Sequence, residues 1–232
     1  MKILSIECSA SPASCAIIDD GCVRAASYIN AKLTHSQTLM QMIINTLDNS
    51  CTKLCDIDKI AVAVGPGSFT GLRIGISAVK GLAAPTDINC IPVSTLEGMA
   101  YQFADRDCVV CAVMDARCNQ FYNALFEIEK GVVKRLCDDR ALLADELKSE
   151  IKVFCDKKII ICGDGADLFY KCANEIPNIT LAAENLKFQN AVGVGICAYN
   201  NIDTAAIVSS KELLPIYLRL PQAERELKAK KH

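Results

Sequence analysis

Histidine is almost missing from this chain: of its 232 residues only His35 and His232 are histidines, and the second is the last residue. Serine and cysteine hydrolases usually take their general base from histidine, and multi-histidine metal sites need several. A Ser-His-Asp or Cys-His enzyme is therefore disfavoured and a multi-histidine metal centre is excluded, while His35, beside a helix cap, reads as a solvated turn residue. An excess of one charge is missing too. Twenty-five basic against 27 acidic residues leave a net charge of −2, which supplies no broad basic field for unaided binding of nucleic acid. Contact with RNA has to be local or shared with a partner. No apolar run reaches the ~18 residues of a membrane-spanning helix. The N-terminus, MKILSIECSASPASCAII, has only Lys2 before a short apolar run that Glu7 interrupts, the pattern of a strand and not of a signal peptide. A cytoplasmic protein is expected.

Cysteine, by contrast, is plentiful. Fourteen would suit a disulfide framework in a small secreted protein, but this chain is not small and most of its cysteines lie inside apolar segments. Cys108 and Cys111 fall in a predicted strand, where residues three apart point to opposite faces. Buried, reduced thiols acting as small hydrophobes are the expectation.

Apolar residues make up 51% of the chain, enough for a substantial core. Alternation predicts strands at Ile3–Ser9, Ser14–Ile18 and Cys22–Ile29, with Asp19-Asp20-Gly21 turning the second into the third. Thr34 and Gln37 have capping-box spacing ahead of a helical stripe of Leu39, Met40, Ile43, Ile44 and Leu47. A strand at Lys59–Val64, a helix about Gly71–Ala84, a strand at Cys90–Val93 and a helix about Thr95–Phe103 follow. After the polar joint Ala104-Asp105-Arg106-Asp107 the pattern restarts. Strands at Val109–Asp115, Gln120–Ile128 and Val132–Leu136 precede a helix near Asp145–Val153, a strand at Lys158–Cys162, a helix near Ala166–Asn174, a strand at Ile179–Leu181 and a helix near Gln189–Asn200. Both halves read βββαβαβα. The predicted fold is a duplicated α/β protein with an N-terminal lobe over 1–104, a C-terminal lobe over 105–210 and an extension over 211–232. That order resembles the actin-like, sugar-kinase and heat-shock ATPase superfamily, a likeness of architecture that leaves chemistry open.

The stretch AVAVGPGSFTGLRIGISAVKGLAA, residues 61–84, joins a strand to a helix through a glycine loop. A Walker-type loop needs four residues between its glycines followed by Lys and Ser/Thr; Gly67 and Gly71 enclose three, and Leu72-Arg73 follows. Gly65-x-Gly67 sits where a dinucleotide loop would, but Pro66 removes a donor and no acid ends the next strand. A structural turn is the better reading. In the helix beyond, Gly71, Gly75 and Ala78 leave one face nearly bare for another helix, with Leu72, Ile76 and Val79 beside it, and packing on the protein's own sheet is the competing reading. Among acidic residues, Glu7 closes the first strand near Ser9, Asp115 closes its equivalent in the second half, and Gly163-Asp164-Gly165 follows a strand. Each could position a phosphate or magnesium ion, although turn formation or helix capping accounts for Asp164 equally well.

Taken together, Gly65-Pro66-Gly67-Ser68-Phe69-Thr70-Gly71-Leu72-Arg73-Ile74-Gly75, Pro92-Val93-Ser94-Thr95-Leu96-Glu97, Met114-Asp115-Ala116-Arg117, Gly163-Asp164-Gly165 and Pro215-Ile216-Tyr217-Leu218-Arg219 closely resemble the bacterial TsaB family, also called YeaZ. Glu7-Cys8-Ser9 stands where that family usually has Asp-Thr-Ser, and Cys118-Asn119 where Arg-Gly is common. The resemblance implies a non-catalytic partner in making threonylcarbamoyladenosine in tRNA. The transfer itself belongs to a paralogue, TsaD, through a metal held by a His-x-x-x-His pair, and an ATPase, TsaE, joins the two. Thr95 to Met99 occupy the place of that pair, and neither end is a plausible ligand. It further implies that the first two helices of the N-terminal lobe meet TsaD or a second copy of the chain, through Leu39, Met40, Ile43, Leu72, Gly75, Ile76 and Val79 with Arg73 and Lys80 at the rim. No cofactor of its own is expected, with ATP or ADP entering only at the level of the complex and tRNA only through it. The alternative is an enzyme of the same architecture, a glycoprotease-like peptidase or an ATP-dependent phosphotransferase. The basic tail, Lys228, Lys230 and Lys231, is diluted by Glu224 and Glu226 and reads as a solvated terminus.

Overall fold

Strands Lys2–Glu7 (β1) and Ala13–Asp19 (β2) are almost continuously apolar or small, and both are buried on their two faces. Asp20 and Gly21, at φ 48° and 76°, make the tight turn into Cys22–Ile29 (β3). Helix His35–Asn49 (α1) leads to strand Lys59–Gly65 (β4), helix Phe69–Ala83 (α2), strand Asn89–Ser94 (β5) and the short helix Thr95–Ala100 (α3). The computed structural model describes residues 1–31 and 33–219; the basic tail lies outside them. The first sheet has the order β3-β2-β1-β4-β5, antiparallel across the first three strands and parallel thereafter.

The second half repeats the plan. Cys108–Asp115 (β6), Gln120–Glu129 (β7) and Val132–Arg135 (β8) form the antiparallel part, and an unanticipated strand, Arg140–Leu143 (β9), pairs with the other end of β7. Helix Ala144–Ile151 (α4), strand Ile159–Cys162 (β10), helix Ala166–Ala173 (α5) and strand Ile179–Leu181 (β11) follow. A single helical turn, Glu184–Lys187 (α6), which the sequence did not announce, precedes helix Ala191–Asn200 (α7).

Apart from the edge strand β3, the first sheet is covered on both faces, as is the centre of the second, but not by helices of its own half alone. Leu4, Ile6, Ile17, Ile60 and Val62 of the first sheet pack under α1 and α2. On its other face, Ile3, Ile18, Ala61 and Ile91 meet Val194 and Ala198 of α7. Conversely Leu96 and Met99 of α3, with Phe103 just beyond it, cover Val110, Met114 and Phe126 of the second sheet, whose opposite face lies under α4 and α5. The two exchanged helices cross where a Cβ on Gly193 would lie 2.1 Å from the Gly98 carbonyl oxygen, an approach only glycine permits. The joint at Ala104–Asp107 thus marks the repeat, while the packing runs across it. Beside the crossing, Arg135 of β8 bonds Glu97 of α3 at 2.7 Å and Asp139 at 2.6 Å, and Ser94 donates to Asp139 at 2.6 Å.

After α7 the chain returns to the first sheet. Val208 bridges Cys90, Leu213 enters the α1–α2 core, and the Ile216 N–H donates to the Val64 carbonyl at 2.7 Å. Strand alternation puts Cys108 and Cys111 on opposite faces of β6, burial pushes both thiols up from their ordinary range, and all 14 cysteines are unpaired.

Candidate functional site

The glycine loop acts through contact. At Gly65, φ is 132° and a Cβ would stand 2.3 Å from the Ile216 carbonyl oxygen; at Gly71 it would stand 2.0 Å from that of Cys8. Side-chain atoms there would force the returning chain off β4 and lift α2 off the end of β1. Two of the loop's N–H donors are engaged within the chain. The Ser68 N–H is bonded to the Ser9 carbonyl at 2.7 Å, and the Ser68 hydroxyl caps α2 by accepting the Gly71 N–H at 3.3 Å. Loop and β1–β2 turn are closed on each other.

That packing corrects the expected docking face. Leu39, Ile43, Leu72, Gly75, Ile76 and Val79 are all buried in this chain's own core, because the apolar stripes of α1 and α2 that were expected to point outward lie on the sheet. Lys80, half-exposed, reaches the Lys211 carbonyl at 3.4 Å. Met40 and Arg73 are exposed as anticipated. Between the two helices runs a shallow groove of about 630 Å³ lined by Met40, Thr70, Arg73, Ile74, Ser77 and Ala78. Met40 is 42% and the adjacent Ile44 46% exposed. His35 enters this groove, and its Nε2 pairs with the Ala10 carbonyl at 2.8 Å instead of standing free in a turn. The expected capping box is absent: Thr34 precedes α1 in extended conformation without a side-chain cap, and the Gln37 N–H meets its carbonyl at 2.9 Å.

Arg73 stands on the wall between this groove and a second cavity, the cleft of about 610 Å³ between the lobes. Its Nε donates to the Tyr217 hydroxyl at 2.9 Å, while the Tyr217 and Phe69 rings stack 4.0 Å apart beside its guanidinium. Sequence reading missed Phe69 and Tyr217 as a pair because 148 positions separate them; only the return of the chain to β4 brings them together.

Three of the four predicted phosphate residues, Ser9, Asp115 and Asp164, line the cleft. Glu7 is buried at the end of β1, where one carboxylate oxygen accepts the Ser9 N–H and the other has no partner among the described residues. Burial pushes its pKa up to about 7, against the lowering effect of its bonds to Ser9. Asp164, in the cleft wall, accepts from Gln189 at 3.1 Å, and desolvation pushes its pKa up as well, to about 6. Asp164 does not cap α5, which begins after Gly165 without a side-chain cap. Asp115 is exposed and accepts the Arg117 N–H at 2.7 Å. The Ser68 and Gly71 N–H groups of the loop are engaged with Ser9 and Ser68, the buried Ser9 hydroxyl has no partner among the described residues, and no group of three His, Cys, Asp or Glu side chains among them is gathered at one point. The cleft is also tied at its rim, where the Arg219 guanidinium donates to the Ala116 carbonyl.

Comparison with known proteins places this geometry. Residues 30–225 match the family described as TsaD, tRNA N6-adenosine threonylcarbamoyltransferase. The tRNA threonylcarbamoyladenosine biosynthesis protein TsaB of Bacillus subtilis is 30% identical over 97% of this chain and 96% of its own length. A crystal structure from Pseudomonas aeruginosa, described as an uncharacterized protein similar to the peptidase YEAZ, superposes with a TM-score of 0.81 at 24% identity, covering 94% of this chain and 99% of that one. The ROK hexokinase of Thermus thermophilus, at 10% identity and a TM-score of 0.50 over 88% of this chain and 99% of its own, shares the duplicated actin-like fold. With near-complete coverage of the Bacillus relative in both directions, the chain belongs to the TsaB family.

Proposed function

We propose that this protein is a cytoplasmic subunit, without transfer chemistry of its own, in the biosynthesis of threonylcarbamoyladenosine in tRNA, and that it binds the threonylcarbamoyltransferase paralogue TsaD through the open groove between α1 and α2, with the ATPase TsaE joining the pair. The observation that carries this reading is the groove itself, where Met40 and Ile44 stay exposed beside the half-buried Ile74 and Ala78. Two partner helices laid along it could bury the roughly 1,000 Å² that a specific complex needs, with Arg73 at the polar rim. The absence of chemistry is supported by the positions of Thr95 and Met99, each buried to 1% exposure in the packing around α3 where the resemblance puts a metal-binding histidine pair. ATP or ADP, in this reading, enters with the partners, and tRNA is met through the assembled complex. Among the described residues no helix is long and apolar enough to cross a membrane, which suits a cytoplasmic complex.

The test is co-elution of purified chain and TsaD. Met40→Asp and Ala78→Arg lie on exposed or half-exposed sites and should remove the complex while leaving the far-ultraviolet spectrum and melting of the free chain unchanged. An undiminished complex in both variants moves the interface elsewhere. Transfer activity of the isolated chain would overturn the non-catalytic assignment.

A further inference from the structure

Helix α7 spans β1, β2, β4 and β5 on its side of the first sheet but leaves the face of β3 largely uncovered. Registers of Ala16 with Ala26 and of Ser14 with Tyr28 put Ala26 and Tyr28 on the α7 side. The segment between α6 and α7 overhangs the gap and bounds an open-mouthed cavity of about 360 Å³, separate from both the cleft and the α1–α2 groove. Its size is in the lower range of small-molecule sites. Tyr28, half exposed, and Phe188, half-buried, contribute one ring each, and no ring contact joins the two. The Lys187 ammonium lies 5.3 Å from the Phe188 ring and is itself fixed by Asp167 at 2.9 Å and Glu184 at 2.7 Å.

The chemistry of the lining narrows the ligand. Ala26, Ala191 and Val192 make the floor apolar, while the Ser14 hydroxyl, which accepts the Ala191 N–H at 2.8 Å, keeps its own proton for a ligand acceptor. At the mouth stand the exposed Asn185 amide and the Glu184 carboxylate. No lysine or arginine lines the cavity, and the nearby Lys187 ammonium is already paired with Asp167 and Glu184, so no free cation stands there to receive a phosphate. Aromatic walls, an amide and a carboxylate suit a flat heterocycle that carries both acceptors and an amino group: amides pair with the adenine N6/N7 edge, and base–aromatic stacking is tolerant of exact geometry.

We propose that this cavity binds the base of an uncharged purine nucleoside, stacked on Tyr28 and Phe188 and read at its edge by Asn185 and Glu184. The assignment does not depend on the docking role of α1 and α2.

The experiment is titration of the full-length chain with adenosine and with AMP, followed by calorimetry and saturation-transfer NMR. Saturable adenosine binding is expected, with AMP binding no tighter. Tyr28→Ala should weaken it about tenfold through loss of one stacking surface. Ala26→Phe, at an exposed position of an edge strand, should fill the cavity and abolish binding while the far-ultraviolet spectrum and melting of the chain are unchanged. Asn185→Leu should lower the preference for adenosine over inosine. No binding at millimolar adenosine, binding untouched by Ala26→Phe, or binding only of AMP or of RNA would each overturn the assignment.

Discussion

Two glycines of α2 should respond in opposite directions to the same substitution. Gly81 is exposed near the end of the helix and a Cβ there meets nothing within 4 Å, so Gly81→Ala gains the helix-propensity difference of about 0.5–1 kcal/mol. At Gly71 the same methyl would lie 2.0 Å from the Cys8 carbonyl oxygen, where real contacts do not fall below 3.0 Å. The obstacle is backbone at the end of β1, so it cannot rotate aside, and α2 has to move by about 1 Å relative to a core that includes Ile76 and Val79. Overpacking of this kind costs about 1–3 kcal/mol, and the propensity gain offsets only part of it. A net loss of about 1 kcal/mol is expected, which for a chain of this length lowers the melting temperature by about 2–4 °C. Thermal and urea melts of the two variants, followed by far-ultraviolet circular dichroism, provide the comparison. If Gly71→Ala proves as stable as Gly81→Ala, the account of the glycine loop as a close-approach device is wrong.

Glu7 should make stability depend on pH. Its folded pKa of about 7 lies above the ordinary 4.5, so the folded state holds the proton more tightly; the associated stability is fully present below about pH 4.5 and is lost as pH rises through about 7. Glu7→Gln should flatten urea midpoints across that window, and a wild-type profile already flat there would count against it. Ser94→Ala removes both the cap on the Glu97 N–H, at 3.2 Å, and the bond to Asp139; a loss of about 1–2 kcal/mol in urea unfolding is expected. With Ellman's reagent the native chain should expose Cys22, Cys51, Cys55, Cys118 and Cys155 promptly, while buried thiols such as Cys8, Cys111, Cys162 and Cys197 should react only on unfolding. Prompt reaction of the buried set would contradict the packing of both sheets.

Much of the fold was legible because it is written in local periodicity. The β2–β3 turn at Asp20-Gly21 and the strands at Cys22–Ile29 and Ile179–Leu181 follow from alternation and turn chemistry, and the doubled order of elements showed itself without any reference structure. Strand β9 escaped notice because four residues, Arg140 to Leu143, carry too little pattern to be told from a loop. The docking face was harder for a different reason. Apolar stripes such as Leu39-Ile43 and Leu72-Ile76-Val79 state that a helix has a greasy side, but whether that side meets the chain's own sheet or another molecule is decided by where the sheet lies. The groove that remains open is formed by Met40, at the edge of the α1 stripe, by Ala78 of the small-residue face of α2, and by Ile74, which neither pattern included. In the cleft, the identities of Ser9, Asp115 and Asp164 were readable, whereas the engagement of the Ser68 N–H with the Ser9 carbonyl depends on a contact 59 positions apart.

The crossing of α3 and α7 constrains how such a protein comes into being. A nascent chain that has emerged only as far as the repeat boundary leaves Ile3, Ile18, Ala61 and Ile91 wet on one side, because their cover has not yet been translated. Neither copy of the ancestral motif can be excised, shuffled or inherited alone without stranding a bare sheet in its sibling, so the two must be kept as one gene.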